Sequence, residues 1–261
     1  MCAATSSAGR SQRDRPELTA ASAAPYARTV RSAKTDVLAT LGLAARCYAR
    51  HLVPLTLLSV VLFSPLLAYA LLARVPTELG PAWRMVVVSW IAVSTAWIAQ
   101  YMLVGAAAPA ARAITGGTPL GQLAAARASI AGLVRVVLPV LTAVAAIAMG
   151  SIALAVPGLV LGVLLSLTGA STRGGLSEPL LESVERVRAN AKHAVIAVAA
   201  ILFANFAIIT IPFVILLGPL SPRPTPEELE AARLILRVTA IGLTAISPLA
   251  ACVLAALAAR R

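Results

Sequence analysis

VVLPVLTAVAAIAMGSIALAVPGLVLGVLLSLTGAST, residues 136–172, runs for 37 positions without a formal charge. As one helix it would be about 55 Å long, against a bilayer hydrocarbon core of about 30 Å. The tract therefore reads as two crossings, with a hairpin near residues 150–157, where glycine and proline interrupt the run. Arg135 and Arg173 stand at its open ends and can snorkel to the headgroups.

Four more apolar tracts lie outward from this one, at residues 51–73, 85–111, 194–217 and 234–259. Each is long enough to cross a bilayer. The fold class this predicts is all-α, a polytopic membrane bundle of six transmembrane helices. Composition agrees: 59% of the 261 residues are hydrophobic, 12% are charged, and mean hydropathy is +0.89. Soluble domains carry about a quarter charged residues.

The net charge of +12 comes from 22 Lys and Arg against 10 acids. In a soluble chain that excess would point to nucleic acid. Here the charges fall between spans, aromatics are 4%, and no basic stretch is interleaved with them, so nucleic acid is not an expected partner. Charge sets orientation instead. With the N-terminus inside, 17 of the 22 basic residues lie on cytoplasmic segments, which predicts both termini in the cytoplasm and a location in a cell inner membrane. Anionic headgroups are the partners this implies, with a second copy or another membrane protein as further candidates.

Residues 1–33, rich in Ala, Ser, Arg and Pro, read as a disordered cytoplasmic tail, and residues 34–261 as the six-span domain. No apolar signal-peptide core lies near the N-terminus, so the first span is expected to act as the insertion signal. Cys2, Cys47 and Cys252 fall in three separate segments and form neither a disulfide framework nor a metal site by spacing. No cofactor is expected.

Three amphipathic pieces precede inward-starting spans on the cytoplasmic face. In residues 34–50, Val37, Leu38, Leu41 and Ala45 make an apolar stripe, with Arg46 and Arg50 on the polar side. Residues 118–135 form the second piece. The third is SEPLLESVERVRANAKH, residues 177–193, with a stripe of Leu180, Val184, Val187 and Ala191 and acids ahead of bases. That order complements the helix dipole, and Glu182 with Arg186 is a favourable i,i+4 pair. A stable interfacial helix accounts for it, with a ligand or partner surface as the alternative. Arg46, Arg50 and His51 align with Arg188, Lys192 and His193, each set immediately before a span. Either an internal repeat or low-complexity mimicry produces this match.

Residues 35–72 together with residues 156–202 resemble the membrane domain found with some bacterial glycerophosphodiester phosphodiesterases, and are similar to related six-helix bacterial membrane families. In those families an amphipathic helix ending in basic residues precedes the first span. A Pro-led span then leads to an acidic turn and a helix of the form A-L-x-x-S. Leu180 and Ser183 match that form, while Pro179 stands in place of its alanine. The resemblance implies a six-helix architecture. It implies no phosphodiesterase activity, because the chain has no soluble enzyme domain.

The candidate functional residues are rim and packing groups. Arg46, Arg50, His51, Arg188, Lys192 and His193 form a predicted lipid-headgroup or partner rim. The histidines are either a pH-responsive or metal pair, or plain interfacial residues. Gly158, Gly162, Ser166 and Ala170 make a small-residue ridge that indicates close helix packing, within one chain or between two. Gln100 and Asn205 are the strongest polar groups inside the spans, better explained by interhelical bonding than by substrate. Pro65, Pro139, Pro212 and Pro248 mark either kinks or broken helices lining a cavity. No nucleophile motif, metal cluster or acid pair is visible, so no catalytic site is expected. The expected role is that of a non-enzymatic membrane protein with a structural, regulatory or envelope-homeostasis function. The alternative is a permease-like component for a small or lipidic substrate.

Overall fold

A computed structural model describes residues 38–72, 81–118, 120–153, 155–217 and 225–259. The predicted tail lies outside these residues. Residues 40–261 form one compact unit, and everything below concerns it. The described residues are helical, without strands. The elements are α1 (38–50), α2 (Leu52–Leu72), α3 (Pro81–Thr115), α4 (Gln122–Ala153), α5 (Ala155–Leu164), a 3₁₀ turn (Thr168–Ala170), α6 (Glu178–Ala189), α7 (Ala191–Leu217) and α8 (Pro226–Ala259).

Local chemistry sets several of these boundaries. α3 and α8 each begin on a proline, whose missing N–H is no loss in a first turn. Thr225 and Glu228 close a capping box ahead of α8. The Thr225 hydroxyl accepts from Glu228 N at 3.2 Å, and Thr225 N donates to Glu228 Oε2 at 2.9 Å. α3 ends in a Schellman motif, with Thr118 N bonded to Ala113 O, Gly117 N to Ile114 O, and Gly117 at φ 73°.

Among the described residues, four helices are long and apolar enough to cross a membrane: Leu52–Leu71, Gln122–Ser151, Ala191–Pro212 and Pro226–Ala259. The hairpin expected in the 37-residue tract is present, since α4 ends at Ala153 and α5 packs back against it. Its second arm is shorter than its first. α5 has 10 residues, about 15 Å of helix, and the chain then tightens into the 3₁₀ turn. The sequence S-L-T-G-A-S-T supplies the reason. Hydroxyls and glycine weaken the helix there, and Leu167 N donates to Ser183 Oγ at 3.1 Å rather than to its own helix.

α3 and α8 form the centre, with α2, α4 and α7 packed around them. Their facing surfaces are alanine: Ala106, Ala107, Ala110 and Ala111 on α3, and Ala251, Ala255, Ala256 and Ala258 on α8, all buried. Small side chains bring helix backbones close, which is the main source of attraction where lipid is as apolar as leucine. The extreme case is the meeting of Gly105 on α3, Gly132 on α4 and Gly169 in the 3₁₀ turn. A Cβ on Gly132 would overlap Gly105 O, and one on Gly169 would overlap Tyr101 O.

α2, α4, α7 and α8 continue through Pro65, Pro139, Pro212 and Pro248, which overturns the broken-helix alternative. Each proline frees the carbonyl four residues earlier. Ser64 Oγ donates to the one freed by Pro65, Val61 O, at 2.7 Å. Ser59 of α2 donates to the one freed by Pro248, Thr244 O, also at 2.7 Å, so the freed carbonyl becomes part of an interhelical bond.

α1, the C-terminal turns of α3 and α8, the 3₁₀ turn, α6 and the start of α7 share one buried cluster and therefore one end of the bundle. α1 holds the described part of its predicted stripe away from the bundle, and Val37 lies outside the described residues. Thr40, Leu43, Ala44, Cys47 and His51 are the buried face, while Leu38, Leu41 and Ala45 point outward. Both faces of α1 are apolar, and Ala44 and Cys47 are the ones small enough to meet Ala107.

Candidate functional site

A cluster of buried polar groups lies at this end, and α6 organises it. α6 is a 12-residue helix with Pro179 in its first turn and Arg186 and Arg188 in its last. It stops at Asn190, and α7 starts at once with Ala191. The segment 177–193 is thus two helices. Ala191, Lys192 and His193 belong to the first turn of the long apolar helix, and Ala191, expected in the α6 stripe, is exposed.

α6 turns part of its charged face inward. Glu182 is 6% exposed, with Ser183 and Val187 buried beside it. Its carboxylate accepts from Ser171 Oγ, from Thr172 N at 3.1 Å, from Thr172 Oγ1 at 3.3 Å and from Arg173 N at 3.3 Å. Arg186, one turn on, closes a salt bridge to it. Burial pushes the Glu182 pKa up. The Ser171 hydroxyl, the Arg186 charge and the two backbone N–H groups outweigh that, so the carboxyl sits below its usual range and stays ionised.

Arg186 also reaches Ala170 O and Ala258 O, each at 3.4 Å. Arg112 at the end of α3 donates to the same Ala170 O at 2.8 Å. Ser183 Oγ donates to Leu164 O at 2.8 Å while accepting from Leu167 N. One cluster thus satisfies carbonyls left open at the ends of α5, the 3₁₀ turn and α8. With four donor groups and a guanidinium on it, Glu182 is placed to pin helix ends rather than to move protons. The sequence pattern marks Glu182 and Arg186 as an i,i+4 pair on an interfacial helix and does not show that the carboxylate is buried. The one nearby sequence feature is the hydroxyl pair Ser171–Thr172, which supplies donors to the carboxylate.

The predicted rim residues divide. Arg46, Arg50, Arg188 and Lys192 are exposed, as are Arg127, Arg135 and Arg173. His51 is 2% exposed in the bend between α1 and α2, and its Nδ1 has no hydrogen-bond partner among the described residues. Burial, and then the Arg50 charge, lower its pKa and keep it neutral. His193 is half-buried on α7. No hydrogen bond among the described residues joins the two histidines, and no group of three or more His, Cys, Asp or Glu there is placed to hold a metal ion.

The packing ridge faces inward, with Gly158, Gly162, Ser166 and Ala170 all buried. A Cβ on Gly158 would overlap Ser151 of α4, and Gly162 O accepts from Tyr101 of α3 at 2.8 Å. Ser166 is fully buried beyond the end of α5 and bonds Val163 O at 2.8 Å. Between α3, α7 and α8, Gln100 Nε2 donates to Asn205 Oδ1 at 2.9 Å and to Ser247 Oγ at 3.1 Å, and Asn205 Nδ2 returns a bond to Gln100 Oε1 at 3.0 Å. Beside this network is a narrow cleft lined by Trp97, Tyr101, Gly162, Ile201, Leu202 and Leu254, with room for about one water, about 20 Å³.

These features define a helical, multi-pass membrane protein whose interior polar groups join helices to one another. Comparison with protein-family models, with curated proteins and with solved structures gives no match to this chain.

Proposed function

We propose that this chain is a six-span protein of a bacterial inner membrane, with both termini cytoplasmic and a non-enzymatic structural or regulatory role. In this reading α3 supplies the second crossing and α5 with the 3₁₀ turn the fourth. The observation that carries the role is the closure of Gln100, Asn205 and Ser247 on one another between α3, α7 and α8, which leaves their amides engaged with neighbouring helices instead of with a passing substrate. The exposed cations at the α1–α6 end supply the orientation and a contact surface for anionic headgroups. The resemblance to the phosphodiesterase-associated membrane domain enters only as an architecture with amphipathic helices on one face.

Two measurements test this together. Reporter fusions at Gly80 and Thr225 read external and a C-terminal fusion reads internal; an internal reading at either loop ends the topology. In vesicles containing phosphatidylglycerol the protein melts higher than in purely zwitterionic ones, and Arg188→Ala with Lys192→Ala removes most of the difference. Equal melting in both lipids would end the headgroup role.

A further inference from the structure

α1 and α2 are joined through a single residue, His51, which forms the bend between them. The backbone hydrogen bonds continue across it, with His51 N donating to Cys47 O and Leu55 N to His51 O, each at 3.1 Å. Spaced four residues apart, Cys47, His51 and Leu55 share one face, and all three are buried. That face is the docked one. Leu43, Ala44, Cys47 and Leu55 belong to the cluster formed with α3, α6, α7 and the last turns of α8, and the Cys47 thiol lies 3.9 Å from Ala107 O. An imidazole therefore sits in the seam that holds α1 to the bundle, at the joint about which α1 would swing. Its Nδ1 has no hydrogen-bond partner among the described residues. The cations of α1, α3, α6 and α7 at this end are Arg46, Arg50, Arg112, Arg186, Arg188 and Lys192, while α2 and the last turns of α8 carry no charge among the described residues. The acids are three, all on α6: Glu182 is held by Arg186, Glu185 lies 3.4 Å from Arg173, and Glu178 is exposed. A proton on His51 would thus place a buried charge beside Arg50 with no free buried carboxylate to meet it.

We propose that His51 is an acid-sensitive hinge: as neutral imidazole it keeps α1 docked on the bundle end, and its protonation swings α1 away and uncovers Cys47 and the α3 surface at Ala107. Undocked, the imidazole meets water and takes its ordinary pKa of 6.5, whereas docked it lies lower. The docked state is therefore fully favoured above pH 6.5 and loses ground as pH falls below that value. At about pH 5.5 protonation favours the open state by up to about tenfold relative to about pH 7.5. Glu182, whose carboxyl sits below its usual range, stays ionised through this window, so the α6 cap remains closed while α1 opens.

The test uses the full native chain in lipid nanodiscs, with Cys47 as the probe of docking. N-ethylmaleimide labelling at Cys47 is followed by mass spectrometry at about pH 7.5 and about pH 5.5. Each rate is divided by that of the denatured chain at the same pH, so that the ionisation of the thiol cancels. The resulting accessibility should rise several-fold, up to about tenfold, on acidification. His51→Gln, which takes no proton, should remove the rise. His193→Gln, which removes the only other histidine of the chain, should leave it intact. Equal accessibility at the two pH values in the native chain overturns the proposal. So does a rise that His51→Gln retains or that His193→Gln abolishes. Because His193 lies on α7, away from the joint, its variant assigns the titration even if His51→Gln folds poorly.

Discussion

The bond between Ser59 and the Thr244 carbonyl offers a sharp test of how this bundle tolerates its prolines. Pro248 has no N–H to give Thr244 O, and Ser59 Oγ, fully buried on α2, supplies the donor at 2.7 Å. Ser59→Ala removes that donor and leaves a buried carbonyl unpaired. The desolvation penalty for such a group is about 1–3 kcal/mol, and interhelical bonds in membranes run from about 0.6 to about 1.7 kcal/mol. A loss of about 1–2 kcal/mol is therefore expected. Pro248→Ala restores the backbone donor inside α8, so in that background the hydroxyl becomes redundant and Ser59→Ala should cost less than about 0.5 kcal/mol. The coupling of about 1 kcal/mol is the quantity of interest. It is measured by a double-mutant cycle on reversible unfolding in mixed micelles, with helicity followed by circular dichroism. Additive costs, within about 0.3 kcal/mol, would refute the view that Ser59 stands in for the missing N–H.

Further outcomes follow from the other contacts. Glu182→Gln should lower stability by about 2–3 kcal/mol, because Arg186 is left without its partner at a largely buried site. The Glu182 pKa is depressed in the fold, so its contribution is complete above the unfolded value near 4.5 and is lost as pH falls through the lower folded value. Acid melting curves below about pH 4.5 should thus be steeper for the native chain than for Glu182→Gln. Gly132→Ala, whose Cβ would overlap Gly105 O, should cost about 1–3 kcal/mol by denaturation, whereas Gly162→Ala, with Trp97 Cη2 at 3.7 Å, should be close to neutral. Gln100→Leu leaves the Asn205 amide without either of its bonds to Gln100 and should lower the unfolding free energy by about 1–3 kcal/mol.

The sequence made the helical class and the hairpin at residues 150–157 legible, because span length and charge-free runs are counted directly from residues. Gln100 and Asn205 were also legible as interhelical bonding groups, since strong amides in hydrocarbon need partners; that they bond each other and Ser247 comes from the fold. Two kinds of feature were not. On α1 both faces are apolar, so periodicity marked Leu38, Leu41 and Ala45, whereas the smaller Ala44 and Cys47 face the bundle. On α6 the dipole-matched charges described an exposed helix equally well. Nothing in the local pattern says that Glu182 turns inward, because its partners at Ser171 and Thr172 are brought there by a 3₁₀ turn that apolar counting reads as the end of a span.

That substitution of a turn for helix connects the two ends of the site. A straight α5 would carry the Leu164 and Ala170 carbonyls along its own axis and give Glu182 no backbone N–H groups to accept from. By tightening at Thr168–Ala170 the chain brings Gly169 against Tyr101 O on α3 and turns the N–H groups of Thr172 and Arg173 toward α6. The glycine contact and the carboxylate cap are then two sides of one turn. Gly169→Ala, although it carries no charge, should loosen the cap as well as the packing. The measurable consequence is that Glu182→Gln costs clearly less in a Gly169→Ala background than in the native chain, and equal costs in the two backgrounds would separate the features.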